Sequence, residues 1–229
     1  MKIIKDIRIY KSDIANIDGN SLPISFACKE LNATIRRIVM KLRENNFTLG
    51  EFDHLYINFT TCAVDGKIAL SKRSIDKYYP WYRYYDINID NDMFFKLENS
   101  EVEDEIVKQI RNVLVQNFAT DSFDEKRICS CFIQALEQGE NMLMKFKEKI
   151  SAKRKAVIYL RFLNNGRYLP LLRIFDMEDR ILFETDLPET VDLNYLGNIQ
   201  VSNKKVIVKP RKNVFTKTLQ PLSFEYHDD

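Results

Sequence analysis

Residues 68–89 read IALSKRSIDKYYPWYRYYDINI, and the way this stretch folds decides the layout of the first half of the chain. Five tyrosines and the chain's only tryptophan fall between Tyr78 and Tyr85, around Pro80 and Arg83. Lys72, Arg73 and Lys77 precede them, and Asp76 and Asp86 lie in the same window. Pro80 breaks the run, so we read a short strand over 67–72, a loop, and a second strand over 81–89. In strand phase Trp81, Arg83 and Tyr85 share one face, and Tyr82, Tyr84 and Asp86 share the other. One face must cover a core. The remaining rings then form an exposed aromatic patch, the composition enriched at protein interfaces. Tyr79, Trp81, Tyr82, Arg83 and Tyr84 are therefore expected to contact a partner protein, Trp81 and Arg83 foremost.

Upstream, 54–61 reads as a strand with Leu55, Ile57 and Phe59 on one side and Tyr56 and Asn58 on the other. Asp65-Gly66 is a tight-turn signal leading into 67–72, and the three strands together suggest an antiparallel meander. Before them lie a strand over 2–11 and an amphipathic helix over 26–45, with Leu31, Ile35, Ile38, Val39 and Leu42 at helical spacing. Downstream, 90–105 is acidic, and Ser100 followed by Glu103 matches a capping box opening a helix striped by Ile106, Ile110, Val113, Leu114 and Phe118. A second helix is expected over 124–149, kinked near Gly139 and forming a hairpin with the first. The last third is β-rich. Its strongest signal is 156–163, the turn Asn164-Asn165-Gly166, and 168–175. Strands follow at 181–185, 199–201 and 206–208, with an irregular tail after Pro210. This order favours an α+β fold with antiparallel sheet, one N-terminal helix and a central helical hairpin, over a doubly wound parallel sheet. We read 1–229 as one domain with a sub-boundary near 150.

Composition excludes several classes. Apolar content of 45% and charge of 30%, with few Gly and Pro, describe a globular chain rather than a disordered one. A net charge of +2 gives no global attraction to nucleic acid or anionic membrane. No run of about 18 apolar residues exists to span a membrane, and the opening MKIIKDIRIYKSD alternates too quickly for an export signal. Cys28, Cys62, Cys129 and Cys131 are then expected as reduced thiols in a cytoplasm.

No motif announces catalysis. Cys129 and Cys131 point to different faces of a helix and lack a histidine to complete a metal site. Glycines are too scattered for a phosphate cradle, so no cofactor is expected. His54 is the sole histidine outside the last three residues, which hold His227. Asp53 beside it faces the other way if both lie on a strand, which weakens a base–carboxylate pair. Two alternatives to protein recognition remain. One is nucleic-acid binding through Lys204, Lys205, Lys209, Arg211 and Lys212, aided by the basic run 153–155 and by stacking on the aromatic stretch. The other is an enzyme in which Asp53, His54 and Asp86 converge in three dimensions.

The segments FTLGEFDHLYINFTT (47–61) and IALSKRSIDKYYPWYRYYDI (68–87) resemble parts of small uncharacterised bacterial proteins carried as immunity factors beside secreted toxins. The resemblance covers about residues 47–89 and carries no catalytic residues. It implies a cytoplasmic inhibitor that binds a cognate toxin, with the acidic 90–105 segment complementing a basic cleft.

Overall fold

The computed structural model describes residues 1–26 and 29–226, so Cys28 and His227 lie outside the described residues. The protein is α+β, with four α-helices and twelve strands among the described residues. It divides into two compact units, Met1–Gly139 and Glu140–Asp229. The division falls before residue 150 because 124–149 is not one helix. The chain leaves helix at Gly139 and enters a strand at Met144.

The first unit holds β1 (Asp6–Ser12), β2 (Ile24–Ser25), α1 (Lys29–Glu44), β3 (His54–Thr60), β4 (Ile68–Leu70), β5 (Tyr82–Asn88), α2 (Asn91–Lys96), α3 (Glu103–Phe118) and α4 (Glu125–Gln138). Its five-stranded sheet runs β2-β1-β3-β5-β4. The three central strands are mutually parallel, with Arg8 opposite Tyr56 and Tyr56 opposite Tyr84. Only the short outer strands are antiparallel. The expected meander is thus replaced by a mixed sheet in which β4 moves to the edge and β3 pairs past it with β5. A parallel pair needs a crossover, and α1 supplies the one between β1 and β3.

Ile7 and Ile9, Leu55, Ile57 and Phe59, and Tyr85 and Ile87 share one face of this sheet and are buried. Helices cover that face. Tyr85 meets Phe118 at the end of α3, with ring centroids 5.3 Å apart, and α1 packs on β1. Each fully buried side chain, such as Leu55 or Phe59, contributes about 1.5–3 kcal/mol through lost apolar exposure. Asp90 caps α2 by accepting from Met93 N, and Asp124 caps α4 by accepting from Arg127 N. The capping box at Ser100 does not form. Residues Ser100–Val102 make a 3-10 turn, and α3 starts at Glu103 with no side-chain cap.

The second unit holds β6 (Met144–Ile150), β7 (Lys155–Phe162), β8 (Tyr168–Phe175), β9 (Ile181–Asp186), β10 (Asn198–Val201), β11 (Lys205–Lys209) and β12 (Leu222–Glu225). The order β6-β7-β8-β9 is antiparallel throughout, with Phe162 opposite Tyr168 across the expected turn. A second sheet, β10-β11-β12, takes in residues read as an irregular tail. Phe183 of β9 meets Phe224 of β12 at 6.1 Å, bringing the two sheets together. No described helix is long and apolar enough to cross a membrane.

Candidate partner-binding surface

The aromatic stretch divides at Trp81. Before β5, Tyr78 is 85% exposed, Tyr79 52% and Trp81 38%, and the last two rings meet edge to face at 5.1 Å. Asp76 Oδ1 accepts from the backbone N–H groups of Tyr78 and Tyr79, a side-chain turn that shapes the loop. Inside β5 the rings are covered. Tyr84 is only 7% exposed and packs among Tyr10, Tyr56 and Tyr82, and burial pushes its hydroxyl pKa well up. Tyr82 stacks on Tyr56 at 4.5 Å with planes 14° apart. Arg83 is half-buried. Its Nη1 donates to the carbonyls of Pro80 and Tyr82, and its guanidinium lies over Phe52 at 5.4 Å. Of the five expected contact residues, Tyr79 and Trp81 therefore stand open, Tyr82 and Arg83 are partly engaged, and Tyr84 belongs to the interior. The reason is neighbouring strands: β3 flanks β5 with Tyr56 and Asn58, so the polar face is itself covered.

Trp81 is tied to a second feature, the Asp53–His54 pair that strand alternation argued against. Its carbonyl accepts from both Asp53 N and His54 N, at 3.1 and 3.0 Å. His54 Nδ1 lies 2.6 Å from Asp53 Oδ1, and Lys5 Nζ lies 2.7 Å from Asp53 Oδ2. The Asp–His pair forms because β3 begins at His54. Asp53 precedes the pleat and is not bound by strand alternation. Burial raises the Asp53 carboxyl, yet the bonds from Lys5 and His54 outweigh it and hold the pKa below the usual range. An ionised carboxylate only accepts, so the ring proton sits on Nδ1 and Nε2 has no partner among the described residues. Lys2, Lys5, Arg43, Asp53, His54 and Trp81 line an open groove of about 880 Å³.

Asp86 does not join them. His54 pairs with Tyr82 and Asn58 with Asp86, so the carboxylate lies four residues along the strands, roughly 13 Å away at strand rise. The convergence of Asp53, His54 and Asp86 that the enzyme alternative required does not occur.

In the second unit the basic residues disperse. Lys204 lines an open groove of about 650 Å³ with Lys153, whereas Lys205 stands opposite Glu225 in the register. Lys209 is half-buried opposite Asn198, and Arg211 and Lys212 are exposed beyond the strand. Lys155 pairs with Asp179, and Arg154 is buried. Cys131 is buried in α4, which pushes its thiol up to about 11, while Cys62 and Cys129 are half-buried free thiols. Among the described residues no three His, Cys, Asp or Glu side chains gather as a metal site.

Comparison of the chain with protein-family models, curated proteins and solved structures returns no match.

Proposed function

We propose that this chain is a non-enzymatic protein-recognition module, and that its contact surface centres on Tyr79 and Trp81 at the edge of the Asp53–His54 groove. One observation carries the reading. Trp81 is held by two backbone hydrogen bonds at the sheet end, yet its ring remains exposed beside that of Tyr79. A fixed backbone under an open aromatic side chain lowers the ordering entropy of binding, as interface anchors do. Lys2, Lys5 and Arg43 give the groove a basic lining, which favours a partner presenting carboxylates. In its sharpest form, supported by the resemblance of residues 47–89, the module is a cytoplasmic immunity protein that neutralises a toxin.

The Asp53–His54 pair also favours a second reading, general acid–base chemistry at Nε2. Recognition ranks first, since the exposed Tyr79–Trp81 ring pair stands at this groove and suits an interface anchor. The test is affinity capture of the tagged chain with and without nuclease, repeated with Trp81→Ala and Tyr79→Ala. Recognition predicts one stoichiometric, nuclease-resistant protein that both variants lose. Capture unchanged in both variants sinks the assignment. Recovery only of nucleic acid moves the function to the Lys153–Lys204 groove.

A further inference from the structure

At the other end of the central strands from Trp81 lies a cavity of about 180 Å³ lined by Asp86. Open parallel sheets bind ligands outside the carboxyl ends of their strands, and this cavity takes Thr60 from the end of β3 and Asp86 from the last turn of the β5 pleat. Ala15, Ile17, Val64 and Ala69 make an apolar wall.

Asp86 is only 6% exposed, and its hydrogen bonds come from neutral groups. Asn58 Nδ2 donates to Oδ1 at 2.8 Å and Asn16 Nδ2 at 3.1 Å, with the Ser71 hydroxyl nearby. No described cation makes an ion pair with it. Arg73 acts on it electrostatically, but its Nε donates to Asn16 Oδ1 at 2.7 Å and its Nη2 to the carbonyls of Asn20 and Ser21. Lys72 reaches the cavity rim, where its Nζ lies 3.3 Å from Asp65. Asn58, fully buried beside Asp86, keeps its Oδ1 without a partner. A buried carboxylate without a counter-ion is costly, and a cation completes it.

We propose that this cavity binds an ammonium group on a short aliphatic stem, the charge meeting Asp86 and the stem lying against the alanine and valine wall. The volume fits: about 150 Å³ suffices for a benzene-sized ligand, so an ammonium with a stem of about four carbons fills the space. The ligand is either a free small amine or a lysine side chain of a partner protein, which share this chemistry. The site is independent of the Trp81 surface, and its test does not depend on that reading.

The test is a two-dimensional NMR titration of the full chain with n-butylammonium, with n-butanol as the neutral isostere and Nα-acetyl-lysine methylamide as the side-chain mimic. Saturable millimolar shifts with butylammonium, at least about ten-fold weaker with butanol, are expected for a charge-assisted contact. Asp86→Asn should abolish that preference. Ala69→Leu, which leaves Asp86 in place and fills the wall opposite it in the register, should block both ligands. Binding by the lysine mimic as tight as by butylammonium assigns the ligand to a protein side chain, and binding by the free amine alone assigns it to a small molecule. Equal binding of butanol, an absence of saturable shifts with butylammonium, or a preference retained in Asp86→Asn overturns the proposal.

Discussion

The carbonyl oxygen of Trp81 accepts the amide proton of His54 at 3.0 Å, which fixes the tryptophan backbone at the start of β3 while its ring stays open. Truncation at this position should therefore register in both binding and stability. Trp81→Ala is expected to lower stability by about 1–2 kcal/mol, because the residue is only 38% exposed and its ring packs on Tyr79, while reducing partner affinity at least ten-fold. Denaturant unfolding alongside calorimetric binding checks both halves.

Asp53 supplies an acid-sensitive tie. Its carboxyl is held below the ordinary value despite burial, so its stabilising contribution is present above the unfolded pKa of about 4. That contribution is lost as pH falls through the lower folded value. Asp53→Asn should flatten the acid limb of the stability curve below pH ~4, and an unchanged limb counts against the Lys5–Asp53–His54 arrangement.

Asp86 has the opposite sign. Burial raises its carboxyl against hydrogen bonds from Asn58 and Asn16, so its contribution is greatest below the unfolded pKa and declines as pH rises through the folded one. Asp86→Asn should gain stability relative to the parent as pH rises from about 4 to neutrality. A variant that loses ground over that interval contradicts the sign.

Gly139 ends α4 with φ +50 and ψ −129, a conformation closed to side chains with a Cβ. Gly139→Ala should lose about 1–3 kcal/mol of stability through backbone strain alone, because a Cβ there meets no atom within 4 Å. Thermal unfolding measures it.

Among the described thiols, Cys131 should resist alkylation at neutral pH, because burial raises its pKa to about 11 and little thiolate forms. Iodoacetamide labelling followed by peptide mapping should find Cys62 and Cys129 modified in the folded protein and Cys131 only after denaturation.

Element type was legible wherever one periodicity ruled. The stripe Leu31–Ile35–Ile38–Leu42 specified α1, and Asn164-Asn165-Gly166 specified the β7–β8 hairpin. Where two periods fit, the reading failed. Leu143, Phe146 and Ile150 continue the helical spacing of α4, but Met144, Phe146 and Ile150 also stand at the even spacing of a strand, and Gly139 decides between them, with a bulge between Lys145 and Lys147 shifting the register of the strand that forms. In the first unit, where no tight hairpin turn joins the central strands, direction was not readable, because side-chain alternation is the same in parallel and antiparallel pairs. That ambiguity hid the covering of Tyr84 and the separation of Asp86 from His54. A usable signal existed in Asn58 and Asp86, polar residues between apolar neighbours in β3 and β5, which meet Ser12 in one buried network. Asp53 and His54 stood out as neighbours, but strand alternation argued against their pairing, which depends on β3 beginning at His54.

The two sheet topologies also imply different assembly rates. In the second unit β7, β8 and β9 join by short hairpins, whereas β3 in the first unit must wait for β5 to pass β4 before its parallel partner exists. Closing such distant pairings is slow. The ribosome nevertheless delivers the slower unit first. Until β5 emerges, β3 presents Leu55, Ile57 and Phe59 on an incomplete sheet, and during synthesis these residues are open to wrong pairing and to chaperone capture.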